Sequence, residues 1–104
     1  MNDRFLSFLG IMKKAGKLYS GHDAVKEEAR NGKAELVIFT ADASERLKNE
    51  FRNILEGKNT ATVYTGYTIN DIYCATGGKA AVLCVTDSKI AIRLKELLSE
   101  IKEV

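Results

Sequence analysis

Leu36-Val37-Ile38-Phe39 is an unbroken apolar run in β-favouring residues, and Ala80-Ala81-Val82-Leu83-Cys84-Val85 repeats the pattern. A strand apolar on both faces is buried on both, with helices above and below it. The flanking residues agree. Asp42 with Glu45 three residues on has capping-box spacing, and the helix it opens shows Leu47, Phe51, Ile54 and Leu55 on one side, with Gly57 at its end. Asp87 caps a last helix on which Ile90, Leu94, Leu97, Leu98 and Ile101 recur at helical spacing. Upstream, a helix over about 22–30 buries Val25 and Ala29 and ends at Asn31-Gly32. Asp3 caps the first helix, with Phe5, Leu6, Phe8, Leu9 and Met12 on its apolar face, Lys13 and Lys14 in its last turn and Gly16 as its C′ residue. Lys17-Leu18-Tyr19-Ser20 is a short extended stretch, Thr62-Val63-Tyr64 a third strand, and about Asn70–Ala75 a short helix closed by Thr76-Gly77-Gly78. Strand and helix alternate. The expected fold class is α/β: a three-layer α/β/α sandwich with a mixed sheet of about four strands.

The chain has 104 residues, enough for one domain over 1–104. Hydrophobic residues make up 45%, so the core needs no disulfide support, and the 29% charged residues of both signs argue against disorder. No apolar run approaches the roughly 18 residues of a membrane span, and nothing resembles a signal-peptide core. The expectation is a soluble cytoplasmic protein with no membrane partner. Cys74 and Cys84 form no CxxC pair, and His22 is remote, so neither a zinc site nor a disulfide is expected; both thiols read as reduced and partly buried.

Charge is uneven. Residues 1–34 carry seven basic side chains against four acidic, and the remainder nine against ten. From Arg4 to His22 there are four basic residues and no acid. Such a patch is either an ordinary solvated surface or a place to meet a polyanion.

Chemistry-bearing motifs are few. No GxGxxG or GxxxxGK[ST] follows a strand, and Gly77-Gly78-Lys79 precedes a strand where a phosphate loop must follow one. Asp42 and Asp87 each follow a buried strand, so a carboxylate pair at the sheet's carboxyl edge is one reading, and N-capping is the simpler one. The most informative segment is Gly16-Lys17-Leu18-Tyr19-Ser20-Gly21-His22-Asp23-Ala24-Val25-Lys26. Gly21 stands at the mouth of a helix, where a nucleic-acid backbone can approach closely and first-turn amides point outward. Lys13, Lys14, Lys17 and Lys26 surround it as phosphate contacts, and His22 and Asp23 reach toward base edges.

Leu9-Gly10-Ile11-Met12-Lys13-Lys14-Ala15-Gly16-Lys17-Leu18-Tyr19-Ser20-Gly21 resembles the opening of the bacterial YlxQ proteins. Gly32-Lys33-Ala34-Glu35-Leu36-Val37-Ile38, Ala41-Asp42-Ala43-Ser44 and Val85-Thr86-Asp87 resemble later parts of the same proteins, over about residues 5–98. These belong to the kink-turn-binding ribosomal proteins of the L-seven-Ae and L-thirty-e type. The resemblance implies the same three-layer fold, binding to kinked RNA, and no catalysis or cofactor. The expected partner is structured RNA, either ribosomal RNA or an mRNA or riboswitch kink-turn, met by a cytoplasmic monomer; association with the ribosome and action free of it both stay open.

By position, the family's glycine is Gly21, after Ser20. Its asparagine place holds Asp23, its glutamate place Ala24 and its lysine place Glu27. Asparagine both donates and accepts, whereas ionised Asp23 only accepts. Glu27 reverses a charge, with Lys26 next door. The family's second RNA loop corresponds to Thr76, Gly77, Gly78 and Lys79. These departures leave two readings open: altered RNA preference, or a protein-interaction adaptor on the same fold.

Overall fold

A computed structural model of the chain describes residues 3–102, with side chains placed through residue 100. Helices and strands follow in the order α1 (Arg4–Lys14), β1 (Tyr19–Ser20), α2 (His22–Arg30), β2 (Leu36–Phe39), α3 (Glu45–Ile54), β3 (Ala61–Tyr64), α4 (Ile69–Thr76), β4 (Val82–Val85) and α5 (Ser88–Lys102). The four strands form one mixed sheet ordered β1-β4-β2-β3, with β2 and β3 parallel and β4 antiparallel to both of its neighbours. All four residues of β2 and of β4 are buried, as double-sided apolar runs require.

Side chains alternate between two core clusters, because successive residues of a strand face opposite ways. Leu36, Ile38, Leu83 and Val85 pack with Phe5, Leu9, Ile72 and Leu94 of α1, α4 and α5. Val37, Phe39, Val82 and Cys84 pack with Val25, Ala29 and Phe51 of α2 and α3. Three helices thus cover one face and two the other, which is the expected α/β/α sandwich. The side chain of Ile101, expected on the apolar stripe of α5, lies outside the described residues.

Helix ends follow local chemistry. Asp3 accepts from the Leu6 amide at 2.9 Å and caps α1, whose last turn holds Lys13 and Lys14. Gly16 follows the C-cap Ala15 with φ +73°. Asp87 accepts from the Lys89 and Ile90 amides at 2.8 and 3.2 Å, capping α5. α3 departs from expectation. Its N-cap is Ser44, whose Oγ accepts from the Leu47 amide at 3.1 Å, because the chain turns tightly through residues 40–43 first. Asp42 instead accepts from the Ile69 amide at 3.0 Å, satisfying the first N–H of α4 from the neighbouring loop at the same end of the parallel β2–β3 pair. α4 carries its own capping box, Thr68 with Asp71, and starts one residue earlier than its apolar pattern suggests. Gly10 lets α1 lie close on α4, since a Cβ there would stand 2.7 Å from the Ala75 carbonyl oxygen.

Two further expectations are corrected. Cys84 is buried, and burial pushes its thiol up to about 12, but Cys74 is exposed on α4 and not partly buried. The carboxylate pair is ruled out by register. β2 and β4 run antiparallel, with Leu36 opposite Val85 and Phe39 opposite Val82. Asp42 and Asp87 therefore leave opposite ends of the sheet, about 10 Å or more apart at ~3.4 Å per residue.

Candidate nucleic-acid interface

Gly21 links β1 to α2 and has φ +97° and ψ 160°, a backbone region that side chains essentially exclude. Its amide donates to the Val82 carbonyl at 3.0 Å, which fixes the mouth of α2 against the first residue of β4. A Cβ built on Gly21 would meet no atom within 4 Å, so the approach to this backbone is open. No side chain caps α2. The amides of its first turn are thus left to the solvent side, at the positive end of the helix dipole.

Lys14 and Lys17 are exposed on the segment leading into β1, and the exposed Lys13 reaches across to the Ser20 hydroxyl at 3.3 Å, next to Gly21. Among the described residues none of these three lysines forms an ion pair, so their charge faces solvent. Asp23, Lys26, Glu27 and Arg30 line one shallow depression of about 490 Å3 on α2. They bring together the positions where the family's polar contacts are expected.

His22 and Lys26 are placed near the opening but are engaged. His22 Nε2 lies 2.9 Å from both Glu50 carboxylate oxygens, and Nδ1 lies 2.9 Å from Asp23 Oδ1. Lys26 Nζ lies 3.3 Å from Glu50. Only an imidazolium donates from both ring nitrogens. The Asp23 and Glu50 hydrogen bonds hold His22 above its usual pKa, and the His22 bond holds the Glu50 carboxyl below its own. Glu50 sits on α3, remote in sequence, and no local spacing signals it.

The titration gives a prediction with a definite sign. A histidine whose folded pKa is raised contributes its stability fully below the unfolded pKa near 6.5 and loses it as pH rises through the higher folded value. Wild-type stability is therefore expected to fall modestly above pH 6.5 relative to a His22→Gln chain. Urea midpoints at pH 5.5, 7 and 8.5 check this; parallel curves for the two chains contradict it.

The second expected loop lies at the same end of the sheet. α4 ends in Gly77, left-handed at φ +82°, and the chain passes through Gly78 and Lys79 to Val82, the residue bonded to Gly21. Lys79 Nζ stands 5.6 Å from the centroid of the Tyr73 ring, an exposed aromatic in the last turns of α4. Sequence reasoning passes over Tyr73, whose signal is a large aromatic on the outer side of a short helix. The structure thus places Lys13, Ser20, Gly21, His22, Asp23, Lys26 and Glu27 at or along α2 and its mouth, with Gly77, Gly78 and Lys79 just before β4. Lys14 and Lys17, by contrast, lie at the end of α1 and before β1 and, among the described residues, make no contact with the opening. The charge at the mouth is partly neutralised by Glu50.

No family model matches the chain. It is 36% identical over 93 residues to the RNA-binding protein YlxQ of Bacillus subtilis (strain 168), covering 86% of this chain and 90% of that protein. Among solved structures, a protein of unknown function from Bacillus halodurans C superposes with a TM-score of 0.84 at 24% identity, over 94% of this chain and 99% of that one. The Giardia lamblia 15.5kD RNA binding protein superposes at 0.68 and 18% identity, over 99% of this chain and 92% of that one. At those identities the two structures speak to the fold alone. The Bacillus subtilis relative shows more: the chain belongs to the YlxQ family.

Proposed function

We propose that this chain is a non-catalytic RNA-binding protein that takes a kink-turn, or a similarly bent structured RNA, at the mouth of α2. The observation that carries this reading is Gly21: a glycine-only backbone conformation with open space where a side chain would stand, at a helix end with no capping side chain. A phosphodiester or a sheared base pair can approach those amides directly. Lys13, Lys14 and Lys17 supply phosphate contacts, while Asp23 accepts from guanine or cytosine amino groups. Gly77, Gly78 and Lys79 offer a flexible, cationic second contact. Ribosomal RNA and mRNA kink-turns are the partners this reading names, met by a cytoplasmic monomer with or without the ribosome.

The test is a titration of the intact protein against a kink-turn RNA and a plain duplex at two salt concentrations. Tighter binding to the kinked RNA is expected; equal affinity for both defeats specific recognition. Lys17→Ala is expected to weaken binding to either RNA and to lower the salt slope by about 0.9, the share of one phosphate contact on a duplex.

A second reading is favoured by the acidic groups. Glu50 neutralises His22 and Lys26, and Asp23 and Glu27 stand where the family pattern has neutral or basic residues. A protein-interaction adaptor on the same fold would show this drift. It predicts purified protein free of RNA absorbance, and RNA that co-purifies through high salt contradicts it.

A further inference from the structure

β3 closes one side of the sheet, at the opposite edge from β1 and two strands away from the β4 strand that holds Gly21. Its inner edge is used: Ala61 and Thr65 donate their amides to the Glu35 and Phe39 carbonyls at 3.2 and 3.0 Å. Backbone groups alternate in direction along a strand, so the N–H and C=O of Thr62 and Tyr64 point away from β2. Among the described residues no hydrogen bond reaches these outer groups. Natural edges are commonly blunted by proline, a bulge or an inward charge. Ala61-Thr62-Val63-Tyr64 has none of these, and its register with β2 runs unbroken from Leu36–Ala61 to Phe39–Tyr64.

A groove of about 750 Å3 runs beside this edge, between residues 62–67 and α5. Val63, Tyr67 and Leu98 form its apolar floor; they pack on the core cluster yet stay only half-buried. Among the described residues two charged side chains border it. Asp3 is occupied internally, one oxygen accepting from the Leu6 amide at 2.9 Å and the other from the Tyr67 phenol at 2.7 Å. Lys95 is exposed and, among the described residues, has no ion-pair partner. The groove between α1 and α5 differs, because its arginines, Arg4 and Arg93, are already paired with Glu100.

We infer that the β3 edge docks an extended acidic peptide segment of a partner protein, which adds as a further strand through Thr62 and Tyr64 and pairs a carboxylate with Lys95. Strand addition takes its affinity from main-chain bonds and its selectivity from alternate side chains, one set of which meets the Val63–Leu98 floor. The Lys95 ammonium at the rim selects the acidic sequence. This site is separate from the Gly21 opening and does not rest on the RNA reading.

The intact, isotope-labelled protein is titrated with the blocked hexapeptide Glu-Val-Glu-Ile-Glu-Val and with its lysine-for-glutamate counterpart, by amide NMR. The acidic peptide is expected to shift the amides of residues 62–66 and to slow hydrogen exchange at Thr62 and Tyr64. Lys95→Glu is expected to weaken that binding about tenfold and to reverse the preference toward the basic peptide. Thr62→Pro removes only an outward N–H and is expected to weaken binding of the acidic peptide by a similar factor. Lys95→Glu, at an exposed position, decides the matter where the proline disturbs the strand. The inference is overturned by no shift at about 1 mM peptide, the weakest affinity of interest. It is equally overturned by shifts that map elsewhere, by indifference to the charge swap, or by self-association of the chain through this edge.

Discussion

A Gly21→Leu chain is expected to lose about 100-fold in affinity for a kinked RNA, equivalent to two base contacts at roughly 1–3 kcal/mol each. The loss has a steric origin. The space beyond Gly21 holds no protein atom, so the new side chain fills the volume an incoming strand would use. A stability cost of ~1–3 kcal/mol accompanies it, because a φ of +97° with ψ 160° is a region that only glycine occupies readily. The two effects are separated by a control. Gly57 also has positive φ, at +80°, and open space around it, but it lies away from the α2 mouth, in the turn after α3, which ends at Ile54 with Leu55 as its C-cap and not at Gly57 as its sequence suggests. Gly57→Leu is expected to lose comparable stability and to keep wild-type RNA affinity. Binding is read by fluorescence anisotropy at a temperature where both variants are folded, and stability by urea denaturation. Equal affinity of the Gly21→Leu and wild-type chains would remove the helix mouth from the interface.

Phe51→Ala is expected to destabilise the protein by about 3–5 kcal/mol, in the range of buried phenylalanine truncations. Phe51 is wholly buried on α3 and meets Phe39 of β2 edge-on at 6.0 Å between centroids. Phe39 in turn stacks on Tyr64 at 5.3 Å, so the aromatic contacts run from α3 through β2 to the edge strand β3. Phe51 also meets the His22 ring edge-on at 6.0 Å, next to Glu50 on the same helix. Its loss therefore loosens the α3 surface on which Glu50 is carried. A fall in urea midpoint with an unchanged m-value, together with a weaker pH dependence between 5.5 and 8.5, is the expected result. A change of under about 1 kcal/mol would show that α3 contributes little to the smaller core cluster, in the range of ordinary surface substitutions.

The fold could be read from the residues because its central strands are unambiguous. Leu36–Phe39 and Val82–Val85 are apolar at every position and buried at every position. The helix stripes were equally direct, from Phe5 and Leu9 on α1 to Leu94 on α5. Strand direction was not readable, because apolar runs carry no polarity of pairing; the antiparallel β2–β4 register is what separates Asp42 from Asp87. Capping failed where the chain folds back. Asp42 has the spacing to cap α3, but the turn over residues 40–43 gives that task to Ser44 and sends Asp42 to α4. At the candidate site, Gly21 was visible because a glycine before a helix has few other uses. The contact of Glu50 with His22 and Lys26 was not, since it depends on the packing of α3 beside α2 and on no local spacing.

The strand order β1-β4-β2-β3 has a consequence for biosynthesis. β4 enters the sheet last in chain order yet lies between β1 and β2, and the Val82 carbonyl is what anchors the Gly21 amide. While a nascent chain has emerged only as far as α4, the gap between β1 and β2 stays vacant and the mouth of α2 has no anchor. The mouth of α2 is therefore anchored only once β4 has emerged and slotted between β1 and β2, in the middle of the sheet.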